Sequence, residues 1–251
     1  MADGAGRLVG HNGRVRSVGG FLRGCAAATA VLAVVASAGC AGTVTGSAVR
    51  DDNAAPTDVP PLTESQLDGV LLDIAQLNAI VGATRLEVVI ASHEMSTNSD
   101  VVSDPDCLGS IFGAEELVYR SSGWIAMRDQ VAHEPGPDNA HWVEQSVVLY
   151  PSNAQARDFV GGSTSTWRDC SGFSVAVNDG SNSSIWLIGD VSVDDDMVTQ
   201  VVVQEDSDGW ECQHALTSVS NLSIETLACA FGIHDEAVTI AQNLVASAAN
   251  Q

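Results

Sequence analysis

Residues 210–230 read WECQHALTSVSNLSIETLACA. Trp210 to Val219 has strand character, Asn221 offers a turn, and Leu222 to Ala230 forms a second run that can return antiparallel to the first. That return brings Cys229 within reach of Cys212. Three more strand-like stretches lie upstream, Phe173 to Val177, Ile185 to Val193 and Val198 to Gln204. Turn signals separate them at Asn178-Asp179-Gly180, Asp194-Asp195-Asp196 and Asp206-Ser207-Asp208-Gly209. Consecutive short strands joined by such turns predict a meander.

Further upstream, Trp124 to His133 and His141 to Tyr150 are extended segments on either side of Pro135-Gly136-Pro137, as in a hairpin with a longer loop. Every second residue of a strand faces one way, so Gln145 lies among Val143, Val147 and Leu149 and needs a hydrogen-bond partner there. Asp129 interrupts the Ile125, Met127 and Val131 face in the same manner. Such groups either satisfy buried backbone or line a cleft.

Helices flank these strands. Asp73 is a good N-cap for a short helix carrying Ile74, Leu77, Ile80 and Val81, which Gly82 ends. Leu86 to Ala91 follows as a strand. Pro105 to Val118 has helical spacing broken at Gly113. Ser152 or Asn153 caps a helix with Ala156, Phe159 and Val160 on its apolar face, and Gly161-Gly162 weakens its continuation. A last helix starts at Asp235 and bears Ala237, Val238, Ala241, Leu244, Val245 and Ala248 on one stripe. Strands clustered between helices give an α+β fold with an antiparallel sheet and packed helices.

The amino end carries an address. Arg7, Arg14, Arg16 and Arg23 precede an uncharged run from Gly24 to Ala38, the pattern of a secretory leader over residues 1–39. Ser37-Ala38-Gly39-Cys40 has the form of a bacterial lipobox, with Ser37 where a bulky aliphatic residue is usual. Cys40 is then the lipidated first residue of the exported chain, since several acyl chains make a durable anchor. The residues also allow ordinary cleavage near Ala38 and a secreted, unanchored product. Residues 40–61 shift to Gly, Thr, Ser, Ala, Asp and Pro without hydrophobic periodicity, as in a disordered tether, and 62–251 form one domain.

From Cys40 onward 31 Asp and Glu face six Arg, a formal charge of −25, and the chain has no lysine. So acidic a surface repels phosphate backbones, which excludes nucleic acid as a partner, and it repels anionic lipid, so the membrane is reached only through the anchor. The missing lysines exclude Schiff-base catalysis through lysine. There is no GxSxG, SxxK, HExxH or Walker motif, and His93, His133, His141, His214 and His234 are scattered without ligand spacing. No catalytic residues, metal ligands or cofactor are therefore expected. Asp206-Ser207-Asp208-Gly209 begins like a calcium loop but lacks its spacing and terminal glutamate, and reads with Asp194-Asp195-Asp196 as a solvated turn. Cys107, Cys170, Cys212 and Cys229 in an exported chain imply two disulfides, for which the residues alone leave three pairings.

Several stretches together carry a resemblance. They are Asp73 to Gly82, Asp106-Cys107, Val118-Tyr119 with Ser122-Gly123-Trp124, Glu144 to Ser152, Trp167 before Cys170, Cys212 to Leu216, and Asn221 with Leu227-Ala228-Cys229. From about residue 64 onward the chain resembles the PknH-like extracellular domain family, sensor domains of actinobacterial serine/threonine kinases and their stand-alone lipoprotein relatives. The resemblance implies pairing of Cys107 with Cys170 and of Cys212 with Cys229, and helices around an antiparallel sheet that leave a large cleft for an extracytoplasmic ligand. Loops of 63 and 17 residues make such crosslinks worth roughly 4 and 3 kcal/mol in the chain-entropy account. His214 departs from the family pattern, which commonly has Arg there; if that Arg reads an anionic ligand, this chain binds something else or binds it more weakly.

These readings predict a lipoprotein on the outer face of the cytoplasmic membrane that binds a small molecule or envelope component and is not an enzyme. Docking of another envelope protein is the alternative, and hydrolysis a third. Trp124, Gln145, Trp167, His214 and Asn221 are the candidate cleft residues, because their aromatic and amide groups suit orientation of a ligand in an apolar wall. The same five residues also suit packing.

Overall fold

Period-two alternation over the central two thirds of the chain produces one sheet. In the computed structural model, which describes residues 59–136 and 139–251, nine strands pair throughout in antiparallel fashion. They are β1 (Glu87–Ser92), β2 (Ala126–His133), β3 (His141–Leu149), β4 (Ser174–Asn178), β5 (Ser183–Ile188), β6 (Ser192–Asp194), β7 (Met197–Gln204), β8 (Trp210–Val219) and β9 (Leu222–Phe231). Their order is β1-β2-β3-β9-β8-β7-β5-β4, with β6 paired to β7 off that path. The carboxyl-terminal meander thus does not stand alone. Its last strand turns inward and joins the β2–β3 hairpin, with Val143 opposite Ala228 and Val147 opposite Ile224.

The run from Ile185 to Val193 is split into β5 and β6, a correction to the single strand expected there. Between the pairs Ile188–Val202 and Ser192–Thr199 three residues, starting with Gly189, oppose two of β7, which interrupts the ladder. Glycine is required at 189 because an added Cβ would sit 2.6 Å from the Val201 carbonyl oxygen.

Each face of the sheet is covered by helices. One face packs on α1 (Ile74–Val81) and α5 (Glu236–Ala248), burying Leu77, Leu86, Val143, Val147, Ile224, Ile240 and Leu244 in the largest core. Asp73 caps α1 by accepting from the Gln76 N–H at 2.8 Å, and Gly82 ends it at φ 73°. Asp235 begins α5 without a side-chain cap; Gln213 Oε1 of β8 instead accepts from the Ala237 N–H at 3.1 Å. Ile240, which the sequence stripe omitted, is fully buried.

The other face carries α2 (Leu108–Ile111), α3 (Glu116–Tyr119) and α4 (Asn153–Cys170), with a 3₁₀ turn over Pro105–Cys107. The helical segment expected across 105–118 is broken around Gly113 and Ala114, the latter at φ 50°. By contrast, α4 runs unbroken through Gly161-Gly162, where the sequence predicted a weakened continuation. Two glycines cost a helix about 1 kcal/mol each against alanine. Burial of Val160, Ser163, Thr164, Trp167 and Cys170 on the sheet offsets that cost, and a disulfide holds the far end.

Both disulfides join the expected partners. Cys107–Cys170 links the start of the α2 segment to the end of α4, and Cys212–Cys229 joins directly opposed residues of β8 and β9. Among the described residues no helix is long and apolar enough to cross a membrane. The leader, Cys40 and the tether as far as residue 58 lie outside the described residues, as does Pro137 of the hairpin loop.

Candidate ligand grooves beside the long helix

Because α4 lies on the sheet as a ridge, it leaves a groove along each flank. The larger, about 590 Å³, separates α4 from the α2–α3 segment. Arg120, Ser121, Gln155 and Asp158 supply polar groups, and Phe159 and Trp167 the apolar wall. Gly162 lies on this side, and a Cβ there would meet nothing within 4 Å. The Cys107–Cys170 disulfide fastens the two walls to each other, because each wall contributes one of its cysteines.

Beneath the helical layer the sheet is unusually acidic. Glu225 accepts from Tyr119 Oη at 2.7 Å, from the Ala114 N–H at 3.0 Å and pairs with His214 Nε2 at 2.9 Å. Trp167 stacks over His214 with ring centroids 4.2 Å apart. Beside this group, Asp129 accepts from Ser146 Oγ at 2.5 Å. Glu144 lies under Gly113, where an added Cβ would come within 2.8 Å of its Oε1. Glu115 accepts from the Asn98 backbone N–H at 2.9 Å.

Burial holds the Glu144 carboxyl well above the usual carboxylate range, and the negative charges of Asp129 and Glu225 push it the same way. Asp129 and Glu115 are raised mainly by burial. Like charges so close share protons, so Glu144 stays protonated and donates to Asp129. Burial and the adjacent Glu225 likewise drive the Tyr119 hydroxyl far above its ordinary value. It remains a donor.

The five residues singled out from sequence do not share one location. Trp167 lines the larger groove and meets His214, which is fully enclosed beneath it. Gln145 lies on the opposite face of the sheet, where Oε1 accepts from the Leu72 N–H and Nε2 donates to the Leu72 carbonyl, each at 2.9 Å. Asn221, at the β8–β9 turn, bonds the Leu62 N–H and carbonyl and the Tyr150 carbonyl. Trp124 packs partly buried against the cluster of Tyr119, Met127 and Tyr150. Sequence reasoning missed Glu144 and Glu225. Their signal was a charge in the middle of a long apolar strand. Among the described residues no three metal-ligating side chains converge, the Asp206–Gly209 turn included.

These features define a disulfide-crosslinked α+β domain built on one antiparallel sheet, with helices on both faces and a groove fastened by one of its crosslinks. The chain belongs to the PknH-like extracellular domain family, whose sequence profile matches residues 62–247. It is 32% identical over 185 residues to the serine/threonine-protein kinase PknH of Mycobacterium bovis, covering 74% of this chain and 31% of the kinase. The same identity and reach hold for PknH of Mycobacterium tuberculosis, of which 30% is covered, so the chain spans about a third of the length of these relatives. The fold matches the crystal structure of the extracellular domain of PknH from Mycobacterium tuberculosis, with a TM-score of 0.72 and 30% identity over 77% of this chain and all of that one.

Proposed function

We propose that this protein is an extracytoplasmic ligand-binding domain of sensor type, anchored through a lipid on Cys40, that takes a small polar molecule from the envelope into the groove between the α2–α3 segment and α4. The observation that carries this reading is the groove itself, with two walls clamped by Cys107–Cys170 and charged, amide and aromatic groups around open space beside Gly162 on the α4 wall. Pockets that orient small ligands combine a few polar groups with an apolar wall in this way. Binding rather than catalysis is supported by the titratable residues. His214 and Tyr119 each bond Glu225, and all three are buried between the helices and the sheet.

Thermal-shift measurements on the full chain against fractionated polar extracts of the cell envelope test the proposal. At least one fraction is expected to raise the melting temperature of the wild type and not that of Gly162→Leu, whose side chain projects from the α4 wall into the groove. Stabilisation of both proteins alike, or of neither, overturns it.

A second reading, docking of an envelope protein, has its own support in the edge strand β1. Val88, Val89 and Ile90 are 40, 46 and 52% exposed there, with Ile125 at 58%. Pull-down from solubilised envelopes, compared with a Val89→Lys variant, separates this reading from the first.

A further inference from the structure

The smaller groove, about 330 Å³, runs along the opposite flank of α4, between that helix and the β6–β7 turn. Arg157, Gly161, Thr164 and Arg168 succeed one another at intervals of four, three and four residues and so share one stripe of the helix. Asp195 and Asp196 face them from the turn. Val160, Val193 and Val198 supply the apolar surface between.

Cations are scarce in this chain, which has 10 Arg and no lysine against 32 acidic residues. Among the described arginines Arg128 forms an ion pair, bonded to Asp68 at 2.9 Å and near Glu64 at 3.8 Å. Arg157 and Arg168, like Arg85 and Arg120, make no ion pair among the described residues, and two aspartates line the groove that Arg157 and Arg168 share. The two walls are held apart by their own supports. Ser152 caps α4, a disulfide ties its end, and Gln200 Nε2 donates to the Trp167 carbonyl at 3.2 Å. Across the groove, Asp195 sits at φ 50°, and Thr217 Oγ1 fixes the turn by donating to the Asp196 carbonyl at 2.9 Å.

We infer that this groove is a binding site for a small aliphatic zwitterion, a molecule with a carboxylate at one end and an ammonium at the other. The carboxylate end accepts from the guanidinium groups of α4. The ammonium end donates to Asp195 and Asp196, and the carbon chain between them covers the valines. Gly161 leaves room for it, since a Cβ there would touch nothing within 4 Å. A simple anion is repelled by the aspartates and by the net charge of −22, while a simple cation meets two arginines; only a ligand with both charges satisfies both walls. Two sources share this chemistry, ω-amino acids and short peptides with free ends.

Saturation-transfer NMR on the purified full chain, with 6-aminohexanoate and trialanine as probes, decides the matter. Hexanoate and hexylamine serve as singly charged controls. Saturable binding of at least one zwitterion is expected, weakened about fivefold or more in Arg157→Gln/Arg168→Gln and in Asp195→Asn/Asp196→Asn. Preference for 6-aminohexanoate assigns the site to ω-amino acids, and preference for trialanine to peptides. All four substituted side chains are exposed, and unchanged melting temperatures establish that the variants fold. No saturable binding of either zwitterion, equal binding of the singly charged controls, or binding that survives both double substitutions overturns the inference. The larger groove is untouched by any of these outcomes.

Discussion

A buried amide can bond irregular backbone much as a neighbouring strand would, and Gln145 does this for the segment that enters α1. Its two bonds satisfy both the donor and the acceptor of Leu72, a buried residue that no strand reaches. Gln145→Ala leaves both groups unpaired in the core. It is expected to destabilise the protein by about 2–4 kcal/mol in urea unfolding. The position of Gln145 on an apolar face was legible from alternation alone. Its partner was not, because Leu72 lies 73 residues away and nothing local marks it as a loop needing support. Asn221 was legible as a turn residue for the same local reason, while its bonds to Leu62 and Tyr150 depend on where the chain ends of other elements come to rest.

At the level of elements, alternation identified the strands but left one face of β3 unread. Val143, Gln145, Val147 and Leu149 were placed on one apolar face, and nothing local marked the face with Glu144 and Ser146 as covered too. The α2–α4 layer covers them, and both are buried. That layer was itself obscured, because Gly161-Gly162 suggests a shorter α4 than tertiary packing sustains. The acidic stratum has a consequence for pH. In the unfolded chain Glu144 titrates near 4.5, and in the fold burial holds it well above that value. The native state therefore binds more protons across the interval, so this contribution is complete below the unfolded value and is lost as pH climbs toward the folded one. Glu134, in which burial is outweighed by hydrogen bonds from His141, and Asp179, held down by backbone bonds from Asn182 and Ser181, are lowered instead and act below this window. Stability is expected to rise on acidification from about pH 7 to about pH 5. Glu144→Gln, which keeps a donor toward Asp129, should flatten that dependence and stabilise the neutral form. Urea midpoints across the range measure both effects, and a fall in stability on acidification contradicts the account.

For the molecule as a whole, the α+β class followed from the order of strands and helices. The seam between β3 and β9 did not, since it joins segments far apart in sequence whose edges are equally apolar. The two crosslinks divide their work accordingly. Cys212–Cys229 reinforces strands that already exchange backbone bonds, whereas Cys107–Cys170 closes the longer loop and joins parts that no ladder connects. Removing the latter as Cys107→Ser/Cys170→Ser is expected to cost about 3–5 kcal/mol, more than the corresponding pair in β8 and β9, as read from melting temperature. The longer closure has another effect. Every residue from Leu108 to Asp169 belongs to a covalent ring that contains β2, β3 and most of α4. A protease that nicks the exposed hairpin within that ring opens it without severing the polypeptide into separable pieces, so the fragments stay joined until a reductant reaches them.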